Sequence, residues 1–159
     1  MKNVLKILGI IFFSLLDTPS IAAKLANSPS PTSCISKSHP SGCISKKMSY
    51  CFKKSSNTLE MSQCFETAEK EWNTALNAVY QKLLNAIQEP ALKESFKEMQ
   101  RNWVINRDKQ FAFIHNLYTL TGGTIAVLNE AGSRILIIKH RVSELTDIYN
   151  SAYHMEGPQ

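Results

Sequence analysis

Residues 58–88 read TLEMSQCFETAEKEWNTALNAVYQKLLNAIQ. Apolar residues recur at Met61, Cys64/Phe65, Ala68, Trp72, Ala75/Leu76, Val79, Leu83 and Ala86/Ile87. The steps are threes and fours, so one apolar stripe runs down an α-helix. The stretch has no glycine and few β-branched residues, which keeps its intrinsic helical cost low. Asn57, three residues ahead of Glu60, resembles a capping box that opens the helix. Glu89-Pro90 stops it, because the residue before proline is pushed out of helical backbone. The expected helix is Thr58 to Gln88.

Towards the C-terminus a second stripe follows Pro90: Leu92, Phe96, Met99, Trp103, Phe111, Ile114 and Leu117/Tyr118. Position 107, where the period asks for an apolar residue, is Arg. Thr119–Gly123 (TLTGG) ends this helix, since paired glycines permit positive φ. Thr124 caps a third stripe: Ile125, Leu128, Ala131, Ile135, Ile138, Val142, Leu145 and Ile148/Tyr149. Gly132 weakens that helix by up to ~1 kcal/mol relative to Ala and marks a close helix–helix contact. No strand signal competes. The expected fold class is all-α: an up-down-up antiparallel bundle of three long helices over residues 51–153. Trp72 and Trp103, both on the stripes, are expected in its core.

Towards the N-terminus the character changes twice. Met1–Lys6 carries two lysines, Ile7–Leu16 is almost wholly apolar, and Ile21-Ala22-Ala23 offers small residues. These are the three parts of a secretory signal peptide. An apolar run of about ten residues is half of what a membrane-spanning helix needs. Residues 1–23 are therefore read as a signal peptide cleaved after Ala23, which places the chain in the periplasm or outside the cell. Residues 24–50 read as a basic, Ser/Pro-rich lead-in. Between Lys24 and Leu59 stand six lysines (24, 37, 46, 47, 53 and 54) and no acid.

The four cysteines, Cys34, Cys43, Cys51 and Cys64, contain no CxxC pair, which speaks against a zinc ribbon or a redox motif. An even number in an exported chain argues for disulfides. Four cysteines allow three pairings; the shortest loops give Cys34–Cys43 and Cys51–Cys64.

The 159 residues carry 18 Lys+Arg against 13 Asp+Glu, a formal charge of +5, with 43% apolar and 19% charged residues. That composition excludes a disordered or collagen-like chain. No motif names a reaction: there is no nucleophile elbow and no HExxH. None of His39, His115, His140 and His154 stands three or four residues from another, so no helix offers a metal a pair. Glu66, Glu69 and Lys70 read as a solvated face. Arg107-Asp108 is the most unusual place. A guanidinium on an apolar stripe must snorkel or find partners, and Asn77, Tyr80 and Glu144 are the expected acceptors.

Four groups of residues then stand in one order: Met61-Ser-Gln-Cys64 with Asn73-Thr-Ala-Leu76-Asn77-Ala-Val-Tyr80-Gln-Lys-Leu83; Gln100-Arg-Asn-Trp103-Val-Ile-Asn-Arg107-Asp108; Gly122-Gly123-Thr124; and Arg141-Val-Ser-Glu144-Leu145. Over Cys51 to Tyr149 this order resembles the LprI-type lysozyme-inhibitor domain of bacterial envelope proteins. The resemblance implies a helical, exported, disulfide-bonded and non-enzymatic protein without a cofactor or a nucleic-acid partner. It marks Asn77, Tyr80, Gln100, Trp103, Arg107, Asp108, Arg141 and Glu144 as polar motif positions. The family usually has Asp at the place of Asn73, and cysteines near Phe111 and Ser133. Their joint absence fits the loss of one bridge, replaced by an apolar contact of Phe111. Two functions are expected from this: binding and inhibition of a cell-wall glycan hydrolase, or a structural role in the envelope through lysine contacts with anionic polymer.

Overall fold

In a computed structural model the described residues are Cys34 and 40–153. The expected signal peptide, residues 1–23, lies outside them, as do Lys24, Lys37, His39 and His154. The described residues form four helices and no strand: α1 Pro40–Lys54, α2 Thr58–Ala86, α3 Pro90–Thr121 and α4 Thr124–Tyr153. The bundle therefore has four helices, where three were expected. The additional one, α1, is drawn largely from the stretch read as a lead-in. Its serines, cysteines and Gly42 give it little helical tendency of its own, but tertiary contacts decide the matter. Ile44 is fully buried and Lys47 Nζ reaches Glu71 Oε1 on α2 at 2.8 Å. Cys34–Cys43 and Cys51–Cys64 are bridged, with Cα atoms 5.4 and 5.8 Å apart, so α1 is tied near both ends.

Asn57 caps α2: its Oδ1 accepts the Glu60 N–H at 3.0 Å. Glu60 reaches back one residue further than a capping box requires, accepting from the Ser56 N–H at 2.7 Å and the Ser56 hydroxyl at 3.1 Å. The backbone donor first, then the hydroxyl, holds the Glu60 carboxyl below its ordinary range. α2 ends at Ala86, two residues before the expected Gln88, because Ile87 is already extended. Glu89 then caps α3 by accepting from the Ala91 and Leu92 N–H groups, with Pro90 in the first turn where its missing N–H costs nothing. At the other end of α3, Gly122 and Gly123 have φ of 66° and 80°, which makes the tight turn into α4.

α4 is the central helix. Ile135, Ile138, Val142 and Leu145 join Ala68, Trp72, Ala75, Leu76 and Leu83 of α2 in one core, to which α1 adds Ile44. Each Val, Leu or Ile among them taken fully out of water contributes roughly 1.5–3 kcal/mol, and each Ala well under that. Gly132 admits Phe65 of α2: a Cβ there would stand 3.4 Å from the Phe65 ring. α3 packs on another side of α4 and touches α2 near their short connection, where Tyr80 stacks on Phe96 at 5.2 Å. Phe96 is the only fully buried residue of α3 among those described. Trp72 is core as expected, at 1% exposure, whereas Trp103 is only partly buried at the core's margin.

Candidate functional site

The seam between α3 and α4 alternates arginines with aromatic rings. The Arg141 guanidinium lies 5.5 Å from the centre of the Trp103 ring, and Arg107 lies 5.4 Å from the same centre. Arg107 is also 5.7 Å from the centre of Phe111, which Arg134 approaches to 4.7 Å. The order is thus Arg141, Trp103, Arg107, Phe111, Arg134. Cations over ring faces gain about 0.5–1 kcal/mol each when exposed and more when desolvated.

Arg141, only 4% exposed, is the buried guanidinium of the molecule's described part. Its Nε and Nη2 donate to Gln100 Oε1 at 3.0 and 2.8 Å, and Nη1 donates to Glu144 Oε2 at 2.9 Å. The motif residues Gln100, Trp103, Arg141 and Glu144 therefore come together. Arg107 does not bond the partners expected for it. Its Nε and Nη2 donate to the adjacent Asp108 Oδ1 at 2.9 and 2.7 Å. Asn77 is exposed, Tyr80 stacks on Phe96, and Glu144 serves Arg141. The reason is geometric: α3 has α4 as its principal neighbour, so the partly buried Arg107 guanidinium lies over the seam's rings and takes the adjacent Asp108 as its acceptor.

Phe111, where the family usually places a cysteine nearby, carries Arg134 on its face rather than an apolar contact alone, and Ser133 pairs with the Tyr118 hydroxyl at 3.3 Å. Glu69, read as solvated, accepts from Arg134 Nη2 at 2.8 Å and ties α2 to α4. Glu71, which the sequence reading passed over, is buried and paired with Lys47.

The free end of the α3–α4 hairpin has a different character. Phe113, Leu117, Leu120, Ile125 and Val127 are all exposed there, Leu120 by 86%. Leu117 and Ile125 had been placed on the inward stripes, as had Leu92 and Met99, and all four are exposed. A sequence signal existed for two of the five. Phe113 and Leu120 are displaced by roughly a third of a turn from the line through Phe96, Trp103 and Ile114, so they cannot share its face. Beside them the exposed His115 Nδ1 pairs with Glu130 Oε1 at 3.1 Å. Thr119 and Thr121 spend their protons on the carbonyls of His115 and Tyr118, which firms the last turn. The hairpin's free end thus carries exposed Phe113, Leu117 and Leu120 on one side of α3, with Ile125 and Val127 of α4 projecting in nearly opposite directions, beside a polar flank. Exposed apolar groups concentrated in one place mark interaction surfaces more often than catalytic ones.

All four cysteines are paired, which fits a location outside the reducing cytosol. Among the described residues no helix is long and apolar enough to cross a membrane. Comparison with known families gives one match. The model of the lysozyme inhibitor LprI family covers residues 51–145, and the chain belongs to that family. No curated protein and no solved structure matches it. The matched region holds α2, α3 and most of α4 but only the last residues of α1.

Proposed function

We infer that this LprI-family chain is an exported, non-enzymatic protein that binds a lysozyme-type glycan hydrolase and blocks it with the free end of the α3–α4 hairpin. The observation that carries the reading is the exposure of Phe113, Leu117, Leu120, Ile125 and Val127 near the tip of one helical hairpin, in a domain whose family is one of inhibitors. Hydrolase sites are concave, and the tip of a helical hairpin with exposed apolar groups can fill and dehydrate one. Interface energy concentrates in a few well-seated apolar or aromatic anchors, and Phe113 and Leu120 are the most exposed large groups of α3. With a formal charge of +5 the chain gains no long-range attraction to a basic lysozyme, so shape and apolar contact have to supply the affinity. The signal-like residues 1–23 and the lysine-rich start agree with export to the periplasm or beyond.

The test is lysis of a cell-wall suspension by a panel of lysozymes, with and without the purified, oxidised mature protein. Wild type slows clearing at stoichiometric concentrations. Leu120→Asp and Phe113→Asp, both at exposed positions, leave the fold's stability within about 0.5 kcal/mol and abolish the slowing. Undiminished lysis with wild type, or full inhibition by both variants, overturns the assignment.

A further inference from the structure

α1 presents a second surface, and the seam and hairpin leave it without a role. Its residues Lys46, Ser49, Tyr50 and Lys53 stand at spacings of three, four and seven, so they share one face of the helix. All four are exposed, and with Ser45 they line a shallow hollow. Tyr50 is 65% exposed, and Lys54 stands 5.7 Å from its ring centre. No acidic residue occurs on α1. Lys47, on an inner side, is committed to Glu71. The face is held in place by the Cys51–Cys64 bridge from α1 to α2, by buried Ile44 and by the Lys47–Glu71 pair. Lys46, Ser49 and Tyr50 precede the residues that match the family, and Lys53 lies just inside them.

We propose that the outer face of α1, through Lys46, Ser49, Tyr50 and Lys53, docks an anionic polysaccharide. The chemistry of the face selects that occupant. Ammonium groups seven residues apart are separated by about 10 Å along a helix, which suits charges that recur along a polymer chain. Hydroxyls between them, and an exposed aromatic ring, suit the alternating polar rims and C–H faces of sugars. A bilayer surface would instead call for several bulky apolar residues beside the lysines, and this face offers a single ring, Tyr50, with Ser45 and Ser49 in the other places. The electrostatic share of such binding falls as salt rises, since exposed charges are screened beyond ~8 Å at physiological ionic strength. The inference does not depend on hydrolase inhibition.

The experiment measures retention of the oxidised mature protein on immobilised polygalacturonate, at low and at physiological salt. Neutral dextran, polyglutamate and vesicles of anionic lipid serve as the other arms. Wild type binds polygalacturonate, passes through dextran, and loses about tenfold or more in affinity on going to physiological salt. Lys46→Glu with Lys53→Glu removes at least tenfold of the low-salt affinity, while circular dichroism and melting stay as in wild type. Tyr50→Ala weakens polygalacturonate binding several-fold and leaves polyglutamate binding unchanged. Failure of wild type to bind, or indifference to the double lysine substitution, overturns the proposal. So does an unchanged affinity in Tyr50→Ala, which would leave charge alone as the determinant. Vesicles or polyglutamate held as tightly as polygalacturonate would overturn it as well. Because the readout contains no hydrolase, it can fail while inhibition stands, and succeed where inhibition fails.

Discussion

Two arginines on neighbouring helices show how position sets the worth of a charge. Arg141 is almost wholly buried and spends three donors on Gln100 and Glu144. Its removal strips Gln100 Oε1 of both donors, and an acceptor left unmet inside the seam costs about 1–3 kcal/mol. Glu144 is itself half in water, so its own loss matters less than the loss of the guanidinium that fills the seam. Arg107 bonds an exposed neighbour and rests on two rings. Exposed pairs contribute ~1 kcal/mol or less. Arg141→Met is therefore expected to lower stability by about 2 kcal/mol and Arg107→Met by about 1 kcal/mol, as read from urea denaturation of the two variants. Equal losses would show that the seam does not distinguish its buried rung from its exposed one. The sequence reading identified the need for a satisfied arginine but chose Arg107. It judged by the apolar stripe of α3, and that stripe has water on one side.

At the scale of elements, α2 and α4 were legible and α1 was not. The three-and-four spacing of α2 is unbroken, and its buried positions are those of the stripe with Glu71 added beside Trp72. α4 also shows its stripe, yet it is packed on two sides, by α2 through Ile135 to Leu145 and by α3 through Arg134 and Arg141. Periodicity alone does not reveal a second buried face made of polar residues. α1 was hidden for another reason: its helix is imposed by two bridges and by the contacts of Ile44 and Lys47, none of which is a local signal. The exposed hairpin end was hidden by the same periodic logic, which assigns apolar residues inward by default. Gly132 tests the α2–α4 contact. A methyl group there would sit at contact distance from Phe65, and alanine recovers up to ~1 kcal/mol of helix propensity. Gly132→Ala is expected to raise the melting temperature. A fall would mean that Phe65 cannot yield a few tenths of an ångström.

At the scale of the whole molecule, stability is unevenly distributed. α2 and α4 share the apolar core, while α3 contributes one fully buried side chain and is held mainly by the arginine–aromatic seam. Segments with few buried apolar contacts open at lower free energy than the core. Amide hydrogen exchange is expected to be slowest in the middle of α2 and α4 and markedly faster in α3 from Trp103 to Thr121. Uniform protection across the three helices would refute this ranking. The distribution of covalent links has a further consequence. Both disulfides end on or beside α1, and none joins α3 to anything else. A reductant therefore acts on one face of the molecule only. It releases the lysine-bearing helix from its one covalent tie to α2, leaving Ile44 and the Lys47–Glu71 pair to hold it, and spares the hairpin, which is built without cysteine. The surroundings' oxidising power thus bears on the firmness of one surface and leaves the other untouched.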